Sequence, residues 1–266
     1  MQEQGEHAHK DHQHDDGFEV VEPATGKPGN PHKGVYLLPN LFTTAALFAG
    51  FYAIVAAMNG DFTHAAVAII VAGVLDGIDG GVARLTNTQS RFGAEFDSLS
   101  DCVAFGVAPG LVVYAWALSG LGNVGWAAAF IYVACAAMRL ARFNVQSETG
   151  DNRYFTGLAS PSAAGMMAAM VWLGDSRLVD GNEIAWLVAL VATLTGLLMV
   201  SPVRYQSFKE LSIGRVPFRV LLAAVLVLAL ISSDPPLALL VIGAVYVSSG
   251  PIGGLWRHWR GRREAV

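Results

Sequence analysis

Four aspartates stand where carboxylates are unfavourable. Asp76 and Asp79 interrupt the apolar run VAIIVAGVLDGIDGGVARL, and Asp97 and Asp101 open the next apolar stretch in FDSLSDCVAFGVAPG. The i, i+3 and i, i+4 spacings put each pair on one face of a helix. Carboxylates in membrane-like surroundings usually face a cavity or a partner that offsets their burial. If the two helices run antiparallel through a short connection, the pairs converge, and four facing carboxylates repel one another. Hard divalent cations relieve that repulsion, and oxygen-only donors suit Mg²⁺, Mn²⁺ or Ca²⁺. Ion pairing with Arg84 and Arg91, or simple capping of helix ends, accounts for one or two of these acids. It does not account for four on facing stripes beside the small residues Gly80 and Ala83. A glycine there lets a ligand approach the backbone closely.

The elements that must position these acids are membrane helices. Of 266 residues, 53% are hydrophobic and 14% charged, where soluble domains carry about 25% charged residues. A crossing takes roughly 20 mostly apolar residues. The hydropathy pattern predicts an all-α, polytopic membrane helical bundle of about eight transmembrane helices, near 35–59, 62–86, 96–119, 122–146, 158–174, 183–203, 216–233 and 236–255. Three parts follow: a disordered acidic and His-rich tail over 1–34, a transmembrane domain over 35–256, and a basic tail over 257–266.

Charge sets the orientation. With eight spans, one side holds 16 of the 17 lysines and arginines and the other holds Arg177 alone. The positive-inside rule makes both termini, and the aspartates near the same side, cytoplasmic. The polar first 34 residues do not read as a secretory signal peptide. They carry seven acids and three lysines, too little apolar surface to fold, and His7, His9, His12 and His14, which read as a solvated tract before a metal site. The membrane body is formally neutral, with 14 acids and 14 bases, so no clustered basic excess points to nucleic acid. Cys102 and Cys135, both in apolar segments, read as small buried hydrophobes.

Residues 76–101, DGIDGGVARLTNTQSRFGAEFDSLSD, fit D-x2-D-G-x2-A-R-x8-G-x3-D-x3-D at Asp76, Asp79, Gly80, Ala83, Arg84, Gly93, Asp97 and Asp101. This resembles the signature of the CDP-alcohol phosphatidyltransferases, a family of membrane enzymes. The resemblance implies phosphodiester exchange at a divalent-metal site, with Mg²⁺ or Mn²⁺ and two ions expected. It implies that Asp76, Asp79 and Asp97 ligate metal, and that Asp101 lies by the metals and also serves as base toward the acceptor hydroxyl. It implies a CDP pocket of Asp76, Gly80, Ala83, Arg84 and Gly93, with Arg84 pairing phosphate oxygens. Asn40 and Thr43 in PNLFT resemble the family's first-helix polar pair near the nucleotide, although Asn40 also suits a helix N-cap. A homodimer in the cell (inner) membrane is likewise what the resemblance suggests.

Three further stretches, MRLARFNV at 138–145, FTGLASPSAAG at 155–165 and LMVSPVRYQSFK at 198–209, are similar to the bacterial phosphatidylserine synthase branch of that family. The substrates implied are CDP-diacylglycerol from the lipid bilayer and L-serine. Arg142 and Arg139 are one helical turn apart and level with the aspartates, and a guanidinium there suits a carboxylate. Arg142 is the first choice for the acceptor's carboxylate, with Arg139, Asn144 and Ser160 as further candidates. Arg204, Tyr205 and Lys209 read as interfacial, near the lipid phosphate. Two alternatives remain: a sister transferase with glycerol 3-phosphate, inositol phosphate or choline as acceptor, and a cation transporter, since intramembrane acids also mark ion paths. An arginine beside the acids suits a phosphate site better than a cation path.

Overall fold

A computed structural model of the chain describes residues 37–86, 91–148, 157–203, 205 and 218–263, and every regular element among them is helical. The expected tail over 1–34, Arg204 and Lys209 lie outside the described residues. The helices fall where the apolar runs put them: α1 (Leu37–Met58), α2 (Phe62–Thr86), α3 (Arg91–Asp101), α4 (Ala108–Val113), α5 (Asn123–Glu148), α6 (Ser160–Ser176), α7 (Ala185–Val200), α8 (Phe218–Ser233) and α9 (Pro235–Arg263). α3 and α4 belong to one continuous span, Phe92–Leu121. Among the described residues, six spans are long and apolar enough to cross a bilayer; α6 and α8, at 17 and 16 residues, are shorter than the roughly 20 of a full crossing. The protein is a multi-pass membrane protein.

Size, more than polarity, sorts the residues between inside and outside. α1 packs along α2 through Ala46, Ala49, Ala53, Ala56 and Ala57 against Ala65, Ala66, Ala68 and Ala72, all buried. The three- and four-residue spacing of Ala46, Ala49, Ala53 and Ala56 makes a stripe of small side chains, which lets two backbones approach closely. Large side chains of the same helix, Phe48, Phe51 and Met58, point outward. In a bilayer that arrangement has no solvation penalty, because lipid tails are as apolar as the core. α6 is enclosed instead: Ala163, Ala164, Met167, Ala168, Ala169 and Val171 are each at most 1% exposed, and the helix packs on α2 and α9.

The third span departs from the sequence expectation in two ways. It begins at Arg91, five residues before the expected start at 96, so Asp97 and Asp101 sit inside the helix rather than at its mouth. It also widens to a π-helix over Cys102–Val107, directly after Asp101, with the Ala108 N–H reaching the Val103 carbonyl. Such widened turns often accompany functional sites because they re-aim the residues around them. Pro109 has no N–H to offer the Phe105 carbonyl one turn back. The hydroxyl of buried Tyr132 on α5 donates to that carbonyl at 3.0 Å instead.

Polar ties at the far end hold the bundle together. Thr63 donates to Asp175 at 2.5 Å, and Arg177 pairs with Asp234. These contacts join α2 to α6, and α6 to the start of α9. At the other end, Gly157 has φ +93, and a Cβ there would overlap the Met199 carbonyl. Only glycine takes both that backbone shape and that approach without strain. The Gly157 and Leu158 N–H groups bond the carbonyls of Val203 and Leu198, tying the entry of α6 to the exit of α7.

Candidate active site

The aspartate face of α2 meets that of α3. One carboxylate oxygen from each of Asp76, Asp97 and Asp101 lies within 4.8 Å of the others. Asp79 stands beside this triad, one turn along α2, and is 5% exposed. Three hard-oxygen donors at that separation have the chemistry and reach to hold a divalent cation.

α1 fixes the fourth carboxylate. The Thr43 hydroxyl donates to Asp79 Oδ2, and the Ser100 hydroxyl donates to the Thr43 carbonyl at 3.1 Å. Three helices are thereby stitched together at the acids, and Thr43 is placed to orient a carboxylate. Asn40, one turn earlier, lies inside α1 rather than at its start, since the helix begins at Leu37. The N-cap alternative for Asn40 therefore falls. Its carbonyl accepts from the Thr44 hydroxyl at 2.6 Å.

α5 and α6 form the opposite wall. Ser98, between the two α3 aspartates, donates to Asn144 at 3.0 Å. Arg139 Nη1 donates to Ser160 Oγ at 2.9 Å, and Ser160 is fully buried. Arg139 lies within electrostatic reach of Asp101. Arg142 is exposed on the same helix. The first-choice cation of the sequence reading thus faces outward, and the second stands inside. The cause is the turn of the helix: residues three apart differ by about 60° in direction, enough to separate the two.

Among the described residues, the buried side-chain polar atoms without a hydrogen-bond partner are Asp79 Oδ1 and Arg139 Nε. Native structures leave few such groups, and each calls for an explanation. Both belong to this one site. An orphaned carboxylate oxygen beside three other acids fits a metal, and an orphaned guanidinium N–H fits an anion. Over Gly80 the space is open, with nothing within 4 Å of where a Cβ would stand. Gly93 is half-buried on α3, and the side chains of Ala83 and Arg84 lie outside the described residues.

Residues the sequence pattern did not single out complete the walls. Ser98 and Ser100 had one local signal, hydroxyls flanking acids in DSLSD. Tyr246 of α9, whose hydroxyl shares a hydrogen bond with Ser162, had none, because nothing in its apolar neighbourhood points across the bundle.

Among the described residues, the fold is an all-helical, multi-pass membrane bundle that gathers four aspartates beside an open glycine face, a class of site with the chemistry to hold a divalent cation. The sequence pattern of the CDP-alcohol phosphatidyltransferase family matches residues 36–198. The chain belongs to that family, which removes the transporter alternative. It is 38% identical over 230 residues to a Helicobacter pylori CDP-diacylglycerol–serine O-phosphatidyltransferase, covering 86% of this chain and 94% of the relative. A Mycobacterium tuberculosis protein of the same description is 32% identical over 252 residues, 91% of this chain and 86% of the relative. A Saccharomyces cerevisiae one is 34% identical over 155 residues, about half of each chain, at 51% and 53%.

Proposed function

We propose that the chain transfers the phosphatidyl group of CDP-diacylglycerol to the hydroxyl of L-serine and releases CMP. The observation that carries this reading is the pair of orphaned polar atoms, Asp79 Oδ1 on the metal side and Arg139 Nε on the acceptor side of one site. Asp76, Asp79, Asp97 and Asp101 would hold the metal, Mg²⁺ or Mn²⁺, in two ions. When bound, such ions neutralise charge on the pyrophosphate and on the leaving CMP.

The chain's own residues do the rest. Thr43 keeps Asp79 turned toward the other acids. Gly80 leaves room for the nucleotide, with Asp76, Ala83, Arg84 and Gly93 completing its pocket and Asn40 beside it. Arg139, steadied by Ser160, takes the serine carboxylate and brings the hydroxyl to Asp101. Asp101 accepts the hydroxyl proton. The serine oxygen then bonds to the phosphatidyl phosphorus as the bond from that phosphorus to the CMP oxygen breaks. Asn144 fixes α3 through Ser98, and Arg142, exposed, meets lipid phosphate at the rim. The site faces the cytoplasm, where serine and CMP are soluble; both termini lie on that side of the cell (inner) membrane, and the tails over 1–34 and 257–266 flank one catalytic domain over 35–256. The unit is a homodimer. Its small-residue stripes favour close helix packing.

An acceptor panel tests the reading. Purified protein with CDP-diacylglycerol and Mg²⁺ or Mn²⁺ should release CMP with serine and little with glycerol 3-phosphate, inositol phosphate or choline. Faster release with one of those alcohols would move the chain to a sister activity while leaving the aspartate chemistry in place.

A further inference from the structure

We propose that α9 belongs to the acceptor half of the site, where Tyr246 is a positioning residue for Arg139 and a tyrosine that fills a proline gap holds Tyr246 in place. This rests on the reading of Arg139 as the acceptor's cation. The family pattern ends at position 198, before α9 begins. The overlaps with the Helicobacter and Mycobacterium relatives, 230 and 252 residues, are too long to fit within 1–198, so those serine-named relatives continue past it.

The gap lies at Pro251, inside α9. Proline has no N–H, so the Val247 carbonyl, four residues back, loses its helical donor. The Tyr205 hydroxyl donates to that carbonyl at 3.0 Å. Its ring fits because position 250 is glycine: a Cβ there would stand 2.6 Å from Tyr205 Cε1. Burial, with Tyr246 nearby, pushes the Tyr205 hydroxyl up to about 12, so it remains a proton donor throughout the physiological range. Tyr132 fills the gap left by Pro109 in the same way, at the Phe105 carbonyl four residues beyond Asp101. The two halves of the site thus share one device, a tyrosine from another segment replacing a missing backbone donor.

The consequence for α9 is positional. The rings of Tyr205 and Tyr246 pack at 5.5 Å between centroids. Tyr246 bonds Ser162, two residues beyond the Ser160 that receives Arg139, and lies within electrostatic reach of the Arg139 guanidinium. A neutral hydroxyl and an aromatic ring on that side bring no second carboxylate to Arg139, which keeps Asp101 as its charged neighbour. A carboxylate in place of Tyr246 would pair with the arginine and withdraw it from the acceptor.

The test is a cycle on the full-length purified chain: Tyr205→Phe, Pro251→Ala, the double variant, and Tyr246→Phe. Melting temperature, kcat, serine KM and CDP-diacylglycerol KM are measured for each. Tyr205→Phe should lower the melting temperature and raise serine KM by about 3- to 10-fold, the range of one lost hydrogen bond, with the lipid KM within about 2-fold. Pro251→Ala restores an N–H for Val247, so the double variant should recover both values. Tyr246→Phe should raise serine KM by a similar factor, and Pro251→Ala should not rescue it. If Tyr246→Phe fails to fold, Ser162→Ala removes the same hydrogen bond from α6 and should shift serine KM alone. The proposal is overturned if serine KM stays at the wild-type value in Tyr246→Phe, if both KM values rise together, or if Pro251→Ala does not rescue Tyr205→Phe. If the wild type releases no CMP with serine, the serine reading fails by itself. The same cycle, run with whichever of glycerol 3-phosphate, inositol phosphate or choline does release CMP, then decides the inference.

Discussion

Replacing Thr43 with valine removes a single hydroxyl and keeps the shape of the side chain. The link from Ser100 survives, because it ends on the Thr43 backbone carbonyl. What is lost is the donor to Asp79 Oδ2, on a residue whose other oxygen is already buried without a partner. A hydrogen bond to a charged group contributes about 1.5–3 kcal/mol, or roughly 10- to 150-fold in an equilibrium. Losing a residue that orients a metal ligand typically weakens metal affinity about 10- to 100-fold. Thr43→Val should therefore raise the half-saturating Mg²⁺ or Mn²⁺ concentration by roughly 10- to 100-fold and recover near wild-type turnover at high metal. Thr43→Ser, which keeps the hydroxyl, should titrate like the wild type. The assay is initial CMP release against metal concentration at saturating lipid and serine. An unchanged metal midpoint in Thr43→Val would show that the Thr43 hydroxyl does not orient Asp79 for metal. If lipid KM rose while the midpoint stayed put, Thr43 would be a nucleotide contact instead.

Four further expectations follow from the same geometry. Asp76→Asn, Asp79→Asn and Asp97→Asn should each abolish CMP release while leaving the protein inserted and folded, as judged by gel filtration and melting; Asp101→Asn should depress kcat most, since it removes the proposed base. Arg139→Ala should raise serine KM at least about 10-fold and leave lipid KM nearly unchanged, whereas Arg142→Ala should shift serine KM by less than about 3-fold; the bound reflects loss of a charge-assisted pair. Gly157→Ala should cost roughly 1–3 kcal/mol, read as a fall of about 2–10 °C in melting temperature, because it forces a Cβ into a left-handed backbone and against the Met199 carbonyl. Deleting residues 1–30 should leave turnover nearly intact, since a polar tail adds nothing to a membrane-embedded site.

The parts legible in the sequence are those with a local signature. Asp76, Asp79, Asp97 and Asp101 stood out because carboxylates inside apolar runs are unfavourable without a purpose, and their spacing fixed their faces. The helix positions were legible for a similar reason, since twenty apolar residues leave little choice in a bilayer. What stayed hidden depends on contacts between helices. That Thr43 also holds Asp79 is visible only once α1 is seen against α2, where its hydroxyl meets that carboxylate. Arg139 and Arg142 are alike in sequence, and only the hydrogen bond from Arg139 to Ser160 at the start of α6 marks which one turns inward. The π-helical turn after Asp101 has a local hint in Pro109, but the donor that compensates it, Tyr132, lies on another helix. Tyr246 carried no signal, because its partners Ser162 and Arg139 come from α6 and α5.

The most direct test of the account follows the serine itself. Purified protein is given CDP-diacylglycerol, isotopically labelled L-serine and Mg²⁺ or Mn²⁺, and lipid-borne label and CMP are measured together. The four-aspartate site with Arg139 as acceptor cation predicts label in the lipid, one CMP for each labelled lipid, and loss of both on adding EDTA with recovery on restoring the metal. CMP formed without label in the lipid, or labelled lipid formed at full rate in EDTA, would contradict it.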